Sequence, residues 1–188
     1  MKIVKALVVS LVFVSSSYAM AQATDLTDIL TTSQLAQEFG IGADQGTDLS
    51  MLMSPRLQIV IHEAASNELM DVILDGNQLY SWPTSTGRGK WETAPSGEYD
   101  FTGTPVGQYH IFKMVEHYES KEWRAPMADA MFFKGGIAIH GISPDHYDLL
   151  GTPASGGCVR LTLENAAVLW DLVHKVGTRH TLVIVTLN

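Results

Sequence analysis

The sequence predicts a mainly β domain, built as a sandwich or barrel, with a single clear α-helix late in the chain. Many short segments of alternating or β-branched residues follow Arg56, and turns rich in Gly, Pro or Asp separate them. Only Leu163–Val176 has the apolar spacing of a clear amphipathic helix. The 188 residues correspond to one domain with a short appendage.

The N-terminal residues have the pattern of a secretory signal peptide. A start with two lysines precedes an apolar run at residues 6–14, and small residues with Ala-x-Ala endings follow at residues 15–23. The apolar run is shorter than the ~20 residues of a membrane span, although an uncleaved anchor is the alternative. We therefore expect residues 1–23 to be removed on export.

Residues 24–55 and 56–188 differ in character. The first segment lacks a strand pattern and is predicted to be a tether or edge element with one short helix at residues 34–39. The second segment carries the predicted strands and is expected to form the folded domain.

The first predicted strands surround a hairpin. Leu57, Ile59 and Ile61 alternate with less apolar residues, which is typical of a half-buried strand. Residues 69–74 and 78–83 then flank an Asp-Gly pair, a strong hairpin signal. Residues 84–89 are predicted to be a loop.

The middle of the chain is predicted to contain a long loop. Residues 108–115 and 131–133 have strand patterns, and residues 116–130 between them hold several aromatic and sulfur side chains. A connection of this length is typical of a lid or binding loop. The candidate lid residues are Tyr118, Trp123 and Met127.

The last predicted elements are well delimited. Residues 137–140 form a short strand after a Gly-Gly turn. Thr162 can cap the helix that runs to Val176, and Gly177 can end it. Residues 181–187 form a final apolar strand.

The composition excludes several classes of function. Twelve Lys and Arg against twenty Asp and Glu give a net charge of −8, without a basic run, which disfavours nucleic acid as a partner. The single cysteine excludes an internal disulfide and every multi-cysteine metal site. No histidine spacing indicates a metal site.

The single cysteine, Cys158, follows two glycines and precedes the predicted helix. A buried, inert thiol is one interpretation. Gly156 and Gly157, however, allow backbone N–H groups to face a bound oxygen, as in an oxyanion hole. Arg160 and the nearby helix N-terminus are expected to favour the thiolate. For Arg160, a structural salt bridge at the start of the helix is the alternative.

A nucleophilic cysteine needs a base, usually histidine. His140 ends the apolar strand and precedes Gly141, so its ring is expected to project at a strand end. His146, in the following loop, is a weaker candidate. The other five histidines are predicted to have surface or packing roles.

These motifs resemble the catalytic signature of the L,D-transpeptidases, the YkuD domain. Seventeen residues lie between the His140 of Ile139-His140-Gly141 and the Cys158 of Ser-x-Gly-Cys-Val-Arg-Leu. Ser85-Thr86-Gly87, Thr104-Pro105-x-Gly107 and Met131-Phe132-Phe133 also match recurring family segments. The resemblance runs from about Arg56 to the C-terminus. Many members have His where this chain has Gly156.

The resemblance implies a YkuD-type β-sandwich of short mixed strands, with one helix after the cysteine. It implies an exported, periplasmic, cell-wall-associated enzyme that needs no metal or organic cofactor. It also implies roles for individual residues: nucleophile for Cys158, general base and acid for His140, carbonyl anchor of the imidazole for Gly141, oxyanion hole for the Gly157 and Cys158 amides, polar support for Ser155, and site-ordering or substrate-binding cation for Arg160.

The implied substrate is a peptidoglycan tetrapeptide stem, cleaved between diaminopimelate and D-Ala. The acyl group then passes to another stem, giving a 3–3 cross-link, or to a lipoprotein lysine; with water as acceptor, the enzyme is an L,D-carboxypeptidase. The sequence leaves these open, together with a non-catalytic wall-binding module in which Cys158 is inert. NlpC-type hydrolases have the reverse order of Cys and His, and sortases a longer separation between the two.

Overall fold

The structure is a computed structural model that describes residues 55–187. The predicted signal peptide at residues 1–23 lies outside these residues, as does the predicted tether apart from Pro55. Both stay predictions. None of the helices within residues 55–187 has the length and hydrophobicity that a bilayer span requires.

The described residues form two main sheets, one small hairpin and one α-helix. The strands and the helix are β1 (Leu57–Glu63), β2 (Leu69–Leu74), β3 (Asn77–Pro83), β4 (Trp91–Thr93), β5 (Tyr99–Phe101), β6 (Gly107–His110), β7 (Lys113–Ser120), β8 (Ala125–Lys134), β9 (Ile137–Ile142), β10 (Val159–Thr162), α1 (Leu163–Val176) and β11 (Thr181–Leu187). Short 3-10 helices lie at Pro144–Leu149 and Thr178–His180.

The two main sheets form the predicted β-sandwich. One has the strand order β3-β2-β1-β11-β6 and the other β10-β9-β8-β7, whereas β4 and β5 pair only with each other. The strand pairs β1–β11 and β9–β10 are parallel, and the other pairs are antiparallel. The predicted mixed sandwich is therefore confirmed.

One hydrophobic core joins both sheets and the helix. Leu57, Ile59 and Ile61 enter it from β1, as their alternation predicts, and Val159 and Leu161 enter it from β10. A smaller cluster on the other face of the four-stranded sheet contains Met127, Ala130, Phe132 and Ala138, with Cys158 packed against it. The cysteine is therefore on the face of this sheet that points away from the main core.

The hairpin and the helix agree with their sequence signals. Asp75 and Gly76 have φ values of 49° and 80°, the left-handed conformations that a tight two-residue hairpin turn requires. The Thr162 hydroxyl accepts a hydrogen bond from the Asn165 N–H at 3.1 Å, and α1 ends at Gly177. Both predictions are confirmed.

Two predictions about the middle of the chain are wrong. Residues 108–115 are not one strand, because β6 pairs with β11 in one sheet and β7 pairs with β8 in the other. The chain changes sheet at Ile111 and Phe112, whose apolar pattern does not reveal which sheet each strand joins. Residues 116–130 are not a long loop, because most of them belong to the β7–β8 hairpin, whose turn is residues 121–124.

Candidate active site

Cys158 and His140 lie on the same face of the four-stranded sheet. Cys158 directly precedes β10, which runs parallel to β9 with Arg160 opposite His140 and Val159 opposite Ile139. Side chains alternate between the two faces of a sheet. Because Val159 and Ile139 point into the core, Cys158, Arg160 and His140 point to the opposite face.

The imidazole of His140 is buried and held in one tautomer. Its Nδ1 lies 2.9 Å from the backbone oxygen of Gly141, and a carbonyl can only accept, so Nδ1 carries the proton and Nε2 is the free acceptor. The pKa of His140 is lowered to about 4, mainly by burial. The hydrogen bond to Gly141 raises this pKa, and the Arg160 charge lowers it. The ring is therefore neutral near pH 7.

The Cys158 thiol is protonated in this structure at neutral pH. Burial raises the pKa of Cys158 above its ordinary value. A hydrogen bond from the Ala138 backbone and the charge of Arg160 both lower this pKa, but by less. The thiol lies 3.8 Å from the backbone oxygen of Gly136. The Arg160 charge favours the thiolate, as expected, but its effect on the pKa of Cys158 is smaller than that of burial, and the helix N-terminus makes no contribution. Strand β10 separates Cys158 from that N-terminus, and burial outweighs the Arg160 charge.

The turn before the cysteine is closed by hydrogen bonds. The Ser155 hydroxyl donates to the Cys158 oxygen at 2.5 Å and accepts from the Gly157 N–H at 3.0 Å. Thr104 donates to the Gly157 oxygen at 2.8 Å. Gly157 has a φ of 128°, a conformation that favours glycine. Its N–H thus faces Ser155, so the expected oxyanion donor at Gly157 is already bonded in this structure.

The segment of residues 84–89 holds the cysteine turn in place. Ser85 exchanges two backbone hydrogen bonds with Arg160, at 3.3 and 2.9 Å. The Ser155 N–H donates to the Thr86 oxygen at 2.8 Å. Thr86 in turn donates its N–H and its hydroxyl to the buried carboxylate of Glu68, at 2.7 and 2.6 Å. The predicted loop is therefore a hydrogen-bonded support beneath the site.

Arg160 lines the site without an ion pair among the described residues. Its guanidinium donates to the backbone oxygen of Ala154 at 3.2 Å. The alternative of a salt bridge at the helix start is therefore not found in residues 55–187. Arg88 also donates to the Ala154 oxygen, at 2.5 Å, and pairs with Glu92.

A groove of about 410 Å³ opens over these residues. The candidate catalytic, substrate-binding and lid residues expected from the sequence line this groove, except Gly141 and Gly157. His146 lies instead on an exposed part of the first 3-10 helix, 3.8 Å from its neighbour Asp145. The lining residues are Asp100, Phe101, Tyr118, Ser120, Lys121, Glu122, Trp123, Ala125, Met127, Lys134, Gly136, Ile137, His140, Ser155, Gly156, Cys158 and Arg160.

Sequence reasoning missed part of the groove wall. Asp100 and Phe101 come from the short hairpin β4–β5, Lys134 is the last residue of β8, and Gly136 lies in the turn between β8 and β9. Three-residue strands leave too little periodicity to be recognised. The Gly-Gly pair at residues 135–136 indicates the turn but not its contact with the cysteine, because a Cβ atom at either glycine would meet nothing within 4 Å.

The candidate lid residues differ in position. Trp123 is in the turn of the β7–β8 hairpin, against Gly156 and with the Arg88 guanidinium 5.2 Å from the centre of its ring. Tyr118 lies on β7 and meets Phe132 edge to face at 5.1 Å. Met127 is 4% exposed and belongs to the smaller core cluster, so it is a packing residue rather than a lid residue.

Residues 57–185 match the YkuD family model, described as the L,D-transpeptidase catalytic domain. The chain belongs to the L,D-transpeptidase family. The resemblance seen in the sequence is confirmed. No curated protein sequence is significantly similar to the chain.

Solved L,D-transpeptidases have similar structures. The protein from Xylanimonas cellulosilytica has 25% identity and a TM-score of 0.59, with 71% of this chain and 61% of that chain covered. The protein from Mycobacterium smegmatis has 21% identity and a TM-score of 0.54, covering 70% and 58%. An L,D-transpeptidase in complex with imipenem has 21% identity and a TM-score of 0.54, covering 70% and 59%. The chain thus spans about three-fifths of these relatives.

Proposed function

We propose that this L,D-transpeptidase family member is a peptidoglycan L,D-transpeptidase that works through a thioester on Cys158. The observation that carries the proposal is the neutral His140, fixed by Gly141 with its Nε2 free, on the same sheet face and in the same groove as the only cysteine. A neutral imidazole with a fixed tautomer is suited to accept a thiol proton.

In the first half of the reaction, His140 Nε2 takes the proton of the Cys158 thiol as the sulfur attacks the carbonyl of the third stem residue. The same imidazole gives this proton to the amine of the leaving D-Ala, and the acyl group stays on sulfur as a thioester. The low pKa of His140 makes the imidazolium a strong acid for this second transfer. The resting thiol contacts the Gly136 oxygen, so the proposed proton transfer requires the sulfur to turn towards His140.

In the second half, an amine attacks the thioester carbonyl while His140 accepts its proton and then returns one to the sulfur. The acceptor is the side-chain amine of another stem or a lysine of an anchored lipoprotein. With water instead, the product is a shortened stem. Arg160, which makes no ion pair within residues 55–187, is available to a substrate carboxylate in the groove. Ser155 keeps the cysteine turn closed.

Trp123 and Tyr118 are proposed to cover the bound stem. Both side chains line the groove from the β7–β8 hairpin. The hairpin tip is attached to the rest of the domain by the Ser96 N–H, which donates to the Glu122 oxygen at 3.0 Å. An aromatic cover over the thioester reduces access of water and so favours transfer over hydrolysis.

The reaction would take place outside the cytoplasm, where peptidoglycan is located. The predicted signal peptide supports export to the periplasm. Neither an organic cofactor nor a metal takes part in the proposed chemistry, since thiol, imidazole and backbone groups supply each step.

The direct test is incubation of the purified protein with tetrapeptide muropeptides, followed by mass spectrometry. A cross-linked dimer lacking one D-Ala supports transpeptidation, and a tripeptide product supports the carboxypeptidase instead. Cys158→Ser and Cys158→Ala, with unchanged circular dichroism, are expected to form neither product, since serine has a far higher pKa than a thiol. Substantial turnover by either variant would show that Cys158 is not the nucleophile.

Imipenem gives an independent test of the thiol. A structural relative was solved in complex with imipenem. We expect the wild-type protein to gain the mass of one imipenem on the peptide that contains Cys158, and Cys158→Ala to gain none. Unmodified wild-type protein, after incubation long enough to acylate an active relative, would support the wall-binding module with an inert cysteine.

A further inference from the structure

Three exposed aromatic side chains form a continuous surface on the hairpin β4–β5. Trp91, Tyr99 and Phe101 are 61%, 64% and 47% exposed. The ring of Trp91 lies 5.6 Å from that of Tyr99 and 5.7 Å from that of Phe101. We refer to these three residues as the aromatic platform. Clustered exposed aromatic rings mark interaction sites more often than isolated ones do.

The strand register explains why the rings share one face. Trp91 is opposite Phe101, and Thr93 is opposite Tyr99. Residues opposite each other and two apart along a strand point to the same side of a hairpin. The intervening Glu92 and Asp100 form the next opposed pair and point to the other side.

The hairpin keeps its position mainly through contacts other than the platform. The Thr102 N–H donates to the Lys90 oxygen at 2.9 Å, and the Thr102 hydroxyl donates to the same oxygen at 2.9 Å. Arg88 holds Glu92 through an ion pair. None of the three platform residues belongs to either hydrophobic cluster of the described residues. Trp91 and Tyr99 are therefore available for binding rather than required for the core.

The aromatic platform is continuous with the catalytic groove. Phe101 lines the groove that contains Cys158 and His140, and Asp100 lines it from the other side of the same strand. A ligand lying across Trp91 and Phe101 would thus lead directly to the mouth of the groove. The Phe101 ring packs on Gly103, where a Cβ atom would collide with it, so the ring at this junction is held in place.

The surroundings of the platform favour a neutral ligand. Glu98, Asp100 and Glu122 lie close together. Burial is the largest cause of the raised pKa of Glu122, and the charges of Glu98 and Asp100 raise this pKa further. Lys90, Lys121 and Lys134 offset part of this charge, but the net charge of −8 disfavours nucleic acids and other polyanions, although their bases also stack on aromatic rings. Sugar rings meet both requirements, because their polarised C–H faces are attracted to the negative face of an aromatic ring.

We propose that the aromatic platform binds the pyranose rings of the peptidoglycan glycan strand, so that the attached stem peptide enters the groove past Phe101. This proposal rests on the proposed function for its choice of polysaccharide. The platform would then select stems that are still attached to glycan over free peptides.

Binding is tested with chitotetraose, an uncharged chain of four N-acetylglucosamine units without peptide, by isothermal titration calorimetry in the Cys158→Ser background. Trp91→Ala is expected to weaken binding about tenfold, whereas Trp91→Phe keeps an aromatic ring and most of the affinity. Phe112→Ala is the matched control, because Phe112 is also 61% exposed but does not line the groove. The proposal is wrong if the Cys158→Ser protein does not bind chitotetraose, or if Trp91→Ala binds it as tightly as Phe112→Ala does.

A kinetic comparison separates this proposal from the proposed function. The ratio of kcat/KM for glycan-linked stems to kcat/KM for free tetrapeptide is expected to fall about tenfold in Trp91→Ala and to stay unchanged in Phe112→Ala. An unchanged ratio in Trp91→Ala overturns the platform proposal. If the wild-type protein turns over neither substrate, the proposed function is wrong instead. In that case the calorimetry still shows whether the platform binds sugar. A concentration-dependent dimer that Trp91→Ala dissociates would assign the platform to a second copy of this chain and overturn the proposal.

Discussion

The indole of Trp123 lies directly against the Cα of Gly156, two residues before the cysteine. A Cβ atom at position 156 would overlap the indole nitrogen and its six-membered ring. Any other residue at position 156 therefore displaces Trp123 from the groove. An aromatic ring from the β7–β8 hairpin thus fills the space that a side chain at position 156 would need.

Gly156→Ala is expected to lower the free energy of unfolding by about 1–3 kcal/mol, because the added methyl group collides with the indole. In the Trp123→Ala background the same change is expected to cost much less, giving a coupling energy of at least ~0.5 kcal/mol. Urea unfolding of the four proteins measures this coupling. Gly136→Ala is the control, since a Cβ atom there has nothing within 4 Å. Additive effects would show that the two residues do not depend on each other.

Trp123→Ala is expected to slow acylation by a stem peptide and to raise the ratio of hydrolysis to transfer, with a small change in Tm. Trp123 is only partly buried at a hairpin tip, so its loss affects the groove more than the core. Met127→Ala, at a residue 4% exposed, is the contrasting variant and is expected to cost about 2–5 kcal/mol of stability. A large fall in Tm for Trp123→Ala, with unchanged kinetics per folded molecule, would assign Trp123 to packing.

His140→Ala is expected to reduce kcat/KM by ~10²–10⁴-fold, the usual contribution of general acid–base catalysis. His146→Ala is expected to have little effect, because His146 lies on an exposed 3-10 helix away from the groove. Both variants are measured with the tetrapeptide assay, after circular dichroism has shown that they fold. The reverse order of effects would mean that His140 is not the base.

The buried His140 is expected to reduce stability in acid. Its pKa is about 4 in the folded protein and near 6.5 when unfolded, so between these values the unfolded chain binds more protons. The free energy of unfolding therefore falls as the pH drops from 6.5 towards 4, by on the order of 3 kcal/mol. Urea unfolding at several pH values is expected to show a weaker dependence in His140→Gln. His117→Gln, at an exposed position, should follow the wild type; equal curves for all three would contradict the prediction.

Glu63 is expected to reduce stability at high pH. Burial, followed by the charge of Glu68, raises the pKa of Glu63 to about 7. The folded chain therefore binds more protons between pH 4.5 and 7, and stability falls as the pH rises through this range. Glu63→Gln should raise the urea midpoint at pH 8 and change it much less at pH 5. The exposed Glu119→Gln is the control; no gain for Glu63→Gln at pH 8 would refute the prediction.

Local signals in the sequence were sufficient for several elements. The alternation of Leu57, Ile59 and Ile61, the Asp75-Gly76 turn and the Thr162 cap each depend on neighbouring residues, and each led to a correct prediction. The motif around Cys158 and His140 could also be recognised, because it consists of a spacing of seventeen residues between the two and of glycines next to each.

Longer-range features could not be predicted in this way. The residues from 108 to 115 have the pattern of one strand, and only pairing with β11 or β8 decides which sheet each half joins. The residues that follow Glu116 look like a loop, because Pro126 and the charged residues around it hide a hairpin that forms by pairing with its neighbours.

Local periodicity and capping predicted a mainly β fold and the late helix, whereas the mixed strands and the expected roles of Cys158 and His140 came from the resemblance of short motifs to the YkuD domain. Folding was needed to bring together the groups that keep His140 neutral, that place Trp123 against Gly156 and that make Phe101 part of the groove wall. The physical reason is that burial and close approach between distant segments set pKa values and cavity walls, and neither is encoded in the spacing of residues along one strand.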